Sequence, residues 1–407
     1  MKILILSTVW LEPNSTAAGS RMLQMIRLFQ RQIWDVSYAS TASESPFEID
    51  LSGIGVNKLS VKVNDIGFDA LIQNLAPDMV MYDRFMTEEQ FGWRVAKYVP
   101  KALQILDTED LHCLRYARQR AFQEKRVFMN DDLLSDVAIR EVAAILRSDI
   151  TLMISAVEMK LLQHFFKVEA NLLHYLPFMV DAEELKSEKT FSDRQHFVSI
   201  GNFHHAPNLD SVKYLKTEIW PLIRKQMSNA ELHVYGAYPT QQVLEMNNPS
   251  SGFIVKGRAE DAFNVIGNAR VLLAPLRFGA GLKGKLLDAM QCGTPNVTSS
   301  IGAEAMHAEL PWSGFIADDA AEFAEKAIEL YQDKRLWTEA QQNGSIILKG
   351  IFDAGLHSEV FIERIKVIQK NLRKHRSSNF MGQMLQHHTM RSAQYMSKWI
   401  EAKNKWN

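Results

Sequence analysis

Short apolar runs separated by segments of helical periodicity constrain the fold of this 407-residue chain more than any other feature. They lie at Lys2–Ser7, Asp35–Ser40, Lys58–Val63, Asp78–Asp83, Ala102–Asp107, Asp149–Ile154 and Asn171–Leu176, and each reads as a buried strand. Between them, stretches such as EEQFGWRVAKYV (88–99) and IREVAAILR (139–147) carry apolar residues at three- and four-residue spacing, the mark of crossover helices. Such alternation makes a parallel sheet covered on both faces. The plan repeats from Phe197 to about Ile316. A chain this long exceeds one ordinary core and is expected to form two domains of roughly 150 to 200 residues. The fold class expected is therefore α/β, with two Rossmann-like, doubly wound domains facing a central cleft. Their expected spans are 1–180 and 196–365, joined by the polar linker 181–195 (DAEELKSEKTFSDRQ) and followed by a tail over 366–407.

Composition narrows the classes. Lys and Arg number 46 against 47 Asp and Glu, and a net charge of -1 predicts no global attraction to nucleic acid. Cys113 and Cys292 are far apart and without metal-ligand spacing, so no disulfide framework is expected and a reducing cytoplasm fits. The ILILSTVWL run follows a single lysine and is short, which suits a first strand better than a signal peptide. No run approaches the ~18 apolar residues of a membrane span, so neither export nor spanning is expected.

The richest segment for chemistry is RFGAGLKGKLLDAMQCGTP, Arg277 to Pro295, which follows the apolar strand Val271–Leu276. Gly279 and Gly281 allow a tight turn with exposed N–H groups, and Lys283 and Lys285 add positive charge. A helix from about Lys283 to Gln291 points its N-terminus at the turn. Strand, glycine turn and helix N-terminus together form an anion site. Gly293 and Pro295 then end the helix.

This run resembles the donor-sugar signature of GT-B glycosyltransferases, particularly glycosyltransferase family 4 (glycosyl transferases group 1), in the branch whose loop reads GAGLK. FVSIGNFHHAPNLDSVKYL (197–215) resembles the opening strand and helix of that family's nucleotide-binding half, and ELHVYG (231–236) its next strand. IVKGRAED (254–261) is similar to the base-recognition turn, and SSIGAEAM (299–306) to the segment after the donor helix. The resemblance covers about residues 197–350 closely and 1–180 more loosely. It implies a nucleotide diphosphate sugar as donor, held by Asn202, His204, Gly236, Lys256, Arg277, Gly279, Gly281, Leu282 and Asp288, with Asp288 on the ribose hydroxyls. It also implies a glycan or glycolipid acceptor and a place in surface polysaccharide assembly. Two departures stand out. The family's paired glutamates fall on Ala280 and Asp288, and the basic residues after the opening glycine are replaced by Asn202, His204 and His205.

In doubly wound sheets ligands bind beyond the carboxyl ends of the strands. After the first strand, Gly19 and Ser20 either offer backbone N–H groups to the donor or simply begin a helix with Ser20 as N-cap. Asp83 and Arg84 close the next central strand and are assigned to the acceptor side. DTEDLH places Asp107, Glu109, Asp110 and His112 at one strand tip, where carboxylate repulsion raises pKa values unless chemistry uses it. Helix capping by Thr108 or Asp110 is the competing account. The histidine that many retaining relatives carry near this strand end is represented here by Glu109.

The expected chemistry is glycosyl transfer, with Glu109, Asp107, His112 and Lys283 as its catalytic set. The main demand is to stabilise charge developing on a diphosphate leaving group. Neither metal nor cofactor is expected, since DTED and the Asp131–Asp132 pair are weak grounds for a cation. Retention follows from the resemblance alone; inversion needs a base such as Asp83 or Glu109. An epimerase, a hydrolase or a degenerate nucleotide-binding scaffold are the alternatives. The tail combines Lys370, Arg373, Lys374, Arg376, Arg391, Lys398, Lys403 and Lys405 with apolar residues at helical spacing. It is expected to pack back on the first domain, with peripheral contact to the inner face of a membrane as the other reading.

Overall fold

The computed structural model describes residues 1–181 and 189–404. The first sheet contains β1 (Lys2–Ser7), β2 (Asp35–Ser40), β3 (Asn57–Ser60), β4 (Met79–Asp83), β5 (Leu103–Asp107), β6 (Ile150–Met153) and β7 (Leu173–Tyr175), in the order β3-β2-β1-β4-β5-β6-β7. The second contains β8 (Gln195–Ile200), β9 (Leu232–Tyr235), β10 (Phe253–Gly257), β11 (Ala269–Ala274), β12 (Asn296–Thr298) and β13 (Gly314–Ile316), in the order β10-β9-β8-β11-β12-β13. All pairs within these sheets are parallel. The order reverses between β1 and β4 and again between β8 and β11, so each sheet has a switch point where a crevice opens beyond the strand ends.

The central strands are apolar along their length because both faces are covered. Ile3, Leu4, Ile5 and Leu6 of β1 are all 1% exposed or less, and they pair in register with Val36–Ala39 and Met79–Tyr82. β3 stops at Ser60 rather than Val63, since β2 itself ends at Ser40 and the last bond there runs from Val61 N–H to the Ser40 carbonyl.

The expected linker is partly absorbed into the second domain. Residues 182–188 lie outside the described residues. Arg194 is fully buried, donating from Nη1 to Thr294 Oγ1 at 2.5 Å and from Nη2 to the Cys292 carbonyl at 2.6 Å, and β8 begins at Gln195. A buried guanidinium must be hydrogen-bonded, and these partners fix Arg194 to the end of helix Gly284–Gln291.

The C-terminal segment returns to the first domain at Ala354, ahead of position 366. Phe361, Ile362, Ile365 and Ile368 of helix Ala354–Lys370 share an apolar cluster with Ile3, Ile5, Met25 and Phe29. Helix Leu372–Ser378 follows, and Arg376 pairs with Asp149 at 2.7 Å while donating to the carbonyls of Pro100 and Ala102. The tail helix Phe380–Asn404 packs on helices Phe85–Tyr98 and Asp136–Arg147. Gly382 permits this contact, because a Cβ there would stand 2.1 Å from the Leu146 carbonyl. Arg94, 2% exposed, donates to Ser397 at 3.0 Å and pairs with Glu401 and Asp69. The expectations resting on Lys405 and on the side chains of His388 and Arg391 lie outside the described residues.

Arg94→Ala leaves two half-buried carboxylates without their partner. It is expected to cost about 3 kcal/mol, measured by urea unfolding followed through the first domain; a cost below about 1 kcal/mol would show that the tail is not anchored there.

Candidate active site

The carboxyl ends of β1, β4 and β5 face those of β8 and β11 across the cleft, and the glycine turn 277–283 is packed directly onto the first domain. A Cβ on Gly281 would stand 2.8 Å from Asp110 Cβ, and one on Gly284 2.5 Å from Ala17 Cβ. Gly281 has φ 64° and Gly279 φ 151°, conformations that glycine alone enters cheaply. Arg118 crosses from helix His112–Gln123 to donate to the Gly279 carbonyl at 3.0 Å and to grip Glu304 through two bonds of 2.8 and 2.7 Å.

One residue absent from the sequence reading organises this junction. Glu158, fully buried near the start of helix Ala156–His164, accepts from Leu111 N–H at 3.0 Å and from the N–H of Gly281. Burial, the nearby Asp110 charge and too few compensating partners push its carboxyl up to about 8. In sequence, Ser155 and Glu158 read only as a capping box; nothing local signals a partner 123 residues away.

The DTEDLH cluster separates into distinct environments. Asp107 is fully buried in an ion pair with Arg21 at 3.0 Å, and Arg21 also donates to the carbonyls of Leu176 and Pro177. That corrects its assignment to the catalytic set: it braces the strand end. Asp110 pairs with Arg115 at 2.8 Å. Burial works to raise its pKa, but Arg115 and His112 outweigh burial and hold it below the usual range. His112 is 3.5 Å from Asp110 and edge-on to Phe85, and burial lowers its pKa to about 4, leaving a neutral imidazole at pH 7.

Glu109 differs from these. Its φ is 62°, a strained value for a non-glycine residue. Its Oε1 is buried without a hydrogen-bond partner among the described residues. Burial first, then Asp107 and Asp83, push its carboxyl well above the usual range. An orphaned buried carboxyl at the tip of a central strand is costly unless a ligand completes it. Capping by Thr108 or Asp110 does not occur: Thr108 donates to the Leu152 carbonyl, and Glu141 accepts from His112 N–H and Cys113 N–H at 2.9 Å each.

Asp83 accepts from Ser7 Oγ at 2.6 Å and lies 3.3 Å from Arg84, while its Oδ1 has no partner among the described residues. Both Asp83 and Arg84, whose φ is 69°, line a cavity of about 280 Å³ between the domains. Its walls include Trp10, Glu12 and Gly19 from the first domain and Asn202, His204 and Tyr238 from the second. His204 stacks on Tyr238 at 4.5 Å, and Tyr238 donates to Glu12 at 2.9 Å, latching the two domains across the cavity mouth. Gly19 contributes no free N–H: the helix Ala17–Arg31 is capped by Thr16, not Ser20, and Thr16 Oγ1 accepts from Gly19 N–H at 2.9 Å. Glycine is required there because a Cβ would meet the Glu12 carbonyl at 2.5 Å.

The expected donor residues are likewise redistributed. Arg277 is held by Asp210 at 2.6 Å and stacked between Tyr214 and Phe122, so its charge is already matched. Gly236 uses its N–H on the Gly257 carbonyl and is glycine because a Cβ would strike Phe203 at 2.2 Å. Lys256 is exposed near the carboxyl end of the edge strand β10, and its charge is felt by His196 of β8. The Arg277 charge and the Gly236 N–H are thus engaged within the protein, while Lys256 stays exposed.

Lys283 folds its Nζ onto the carbonyls of Ala280 and Gly281, at 3.2 and 2.6 Å, and burial lowers its pKa. Leu282 is buried against Ile154 and Phe178. Asn202 accepts from His204 N–H and Asn208 Nδ2, and Asn208 Oδ1 takes 2.8 Å from Lys285 Nζ. Lys285 therefore stands at the end of β8, where the family's basic residues are missing, and burial followed by repulsion from Lys283 lowers its pKa to about 7. Asp288, one turn along the same helix, is half-buried and raises it. Asp131 and Asp132 lie remote from these groups on a short 3₁₀ turn, with Asp132 paired to Arg126 at 2.7 Å.

A lysine with a pKa near 7 is cationic below neutrality and neutral above it. Affinity for a nucleotide diphosphate sugar, whose diphosphate diester does not titrate in this range, is expected to fall about tenfold between pH 6 and 8, and Lys285→Arg to flatten that profile in calorimetry.

The comparisons agree with this architecture. The family described as Glycosyl transferases group 1 matches residues 194–333. No curated protein matches by sequence. Among solved structures, a mutant of S. aureus TarM in complex with fondaparinux, alpha-GlcNAc-glycerol and UDP superposes with TM-score 0.69 at 9% identity, over 91% of this chain and 100% of that one. Sucrose-phosphate synthase from Thermosynechococcus elongatus gives 0.68 at 14%, over 90% and 99%. Anabaena HepE with UDP and glucose gives 0.66 at 14%, over 90% and 100%. The chain thus has the GT-B fold, and its residues 194–333 match the glycosyl transferases group 1 family.

Proposed function

We infer that the protein is a glycosyltransferase moving a hexose-type sugar from a nucleotide diphosphate to a glycan or glycolipid, without a metal and with retention. The observation that carries this reading is the glycine turn with Lys283 and Lys285 at the N-terminus of helix Gly284–Gln291, packed on the strand-end segment that holds Asp110 and Glu109, whose Oε1 has no partner among the described residues. The family match over the same residues, and the nucleotide in the TarM and HepE complexes, support it.

In this mechanism the bond from the sugar's anomeric carbon to the phosphate oxygen breaks, and the electron pair leaves with the diphosphate. Lys285 and Lys283, the latter released from its loop carbonyls, neutralise that charge together with the helix dipole. Asp288 takes the ribose hydroxyls. The acceptor hydroxyl attacks from the same face, and its proton passes to the departing phosphate. Glu109, whose pKa burial and the charges of Asp107 and Asp83 raise, in its protonated form donates a hydrogen bond to the transferred sugar instead of acting as base. The cavity beside Asp83 and Arg84 receives the acceptor. The unpartnered Oδ1 of Asp83 favours one second reading, inversion with Asp83 as general base.

Calorimetry with UDP, GDP and dTDP sugars is expected to give micromolar binding of one nucleotide, unchanged by a chelator and weakened at least about 100-fold in Lys283→Ala. Glu109→Gln, which keeps the hydrogen-bond donor but not the acid, is expected to retain most turnover, whereas Glu109→Ala loses about 100-fold in kcat. Proton NMR of the product's anomeric configuration decides the stereochemistry. Inverted product abolished by Asp83→Asn would replace the first reading with the second, and no nucleotide binding at all would sink both.

A further inference from the structure

The tail helix has one face that the fold uses and one that it leaves bare. At about 100° per residue, Gly382, Gln386, Ser397 and Glu401 share one side, and these are the positions that meet the first domain. Phe380, Met384, Tyr395 and Trp399 share the other, with Met381 and Met396 beside them. Their exposure runs from 42% at Met384 to 76% at Phe380. Scattered exposed apolar residues need no explanation, but groups of them at both ends of one helix face mark a surface with a partner.

Charge identifies the partner. Residues 370–403 carry seven Lys and Arg against one acid, Glu401, in a chain whose net charge is -1. Glu401 is bound to Arg94 and Arg376 to Asp149. The exposed Lys370, Arg373, Lys374, Lys398 and Lys403 therefore have no acid of the tail to offset them. An aromatic stripe flanked by basic residues matches the interface of an anionic bilayer, where Trp and Tyr sit at headgroup level and lysines meet lipid phosphates. A second copy presenting the same face would bring like charge against like charge. We propose that the outward face of the tail helix, with the basic helix Leu372–Ser378 beside it, docks this protein on an anionic membrane surface.

The test is flotation of the full chain with vesicles of phosphatidylcholine alone and of phosphatidylcholine with about one third phosphatidylglycerol. Binding to the anionic vesicles is expected to be at least about tenfold stronger and to weaken in high salt. Phe380→Ser with Trp399→Ser, and separately Arg373→Glu with Lys374→Glu, are each expected to reduce it about tenfold. All four positions are exposed, so unchanged unfolding midpoints certify the variants. Equal binding to both vesicles, no binding, or variants that bind like the parent chain overturn the proposal. So does a concentration-dependent dimer that the apolar double variant abolishes in the absence of vesicle binding, which would assign the face to a second copy. No donor is present in this assay, so its failure leaves the transferase reading intact, and failure of nucleotide binding leaves the membrane surface intact.

Discussion

One buried carboxylate holds the two halves of this protein in register. Glu158 accepts simultaneously from a backbone N–H of the first domain, at Leu111, and from one of the second, at Gly281. Two N–H groups on one carboxylate fix both position and direction, so the glycine turn can approach only along one line. The remaining contacts follow from that approach: Gly281 against Asp110, Gly284 against Ala17, and Arg118 on Glu304. A carboxyl already occupies an N–H of the turn, so on the proposed reading an incoming diphosphate meets an acidic side chain where the resemblance alone would place an empty cradle. Burial lessens the conflict, because a carboxyl raised to about 8 is mostly neutral at pH 7.

The architecture was legible in the sequence because its signal is local. Each apolar run and each amphipathic stretch declares itself within a dozen residues, and β1, β2, β4 and β5 fall within a residue of where periodicity places them. The candidate site was only half legible because its signal is pairwise over long separations. Asp107, Glu109 and Asp110 look alike in the string DTED; Arg21 and Arg115 claim the outer two, and only the middle one keeps an oxygen without a partner. Arg277 and Lys285 likewise look equivalent as cations, yet Asp210 pairs with the first, while the second donates to the amide oxygen of Asn208.

The missing glutamate at position 280 also has a physical reason. Ala280 is 6% exposed and belongs to the apolar cluster of the first domain, among residues such as Phe85 and Leu114. A carboxylate there would be desolvated against hydrocarbon with Glu158 and Asp110 close by. The closed packing of the turn and the absence of the acid are therefore one feature. The basic residues missing after β8 have a counterpart from a different element, since Lys285 reaches that strand end from helix Gly284–Gln291.

The chain's path sets an order of assembly. The core beneath β1 is completed by Phe361, Ile362, Ile365 and Ile368, which follow the whole second domain in the chain. During synthesis from the N-terminus, the second domain has all of its strands before the first has its covering helix. The first sheet and its helix Ala17–Arg31 must then wait without the cover that those four side chains give Ile3, Ile5, Met25 and Phe29, while some 170 residues fold behind them. The domain made first is thus the one finished last, and its apolar flank is the surface that a ribosome-associated chaperone would meet on this nascent chain.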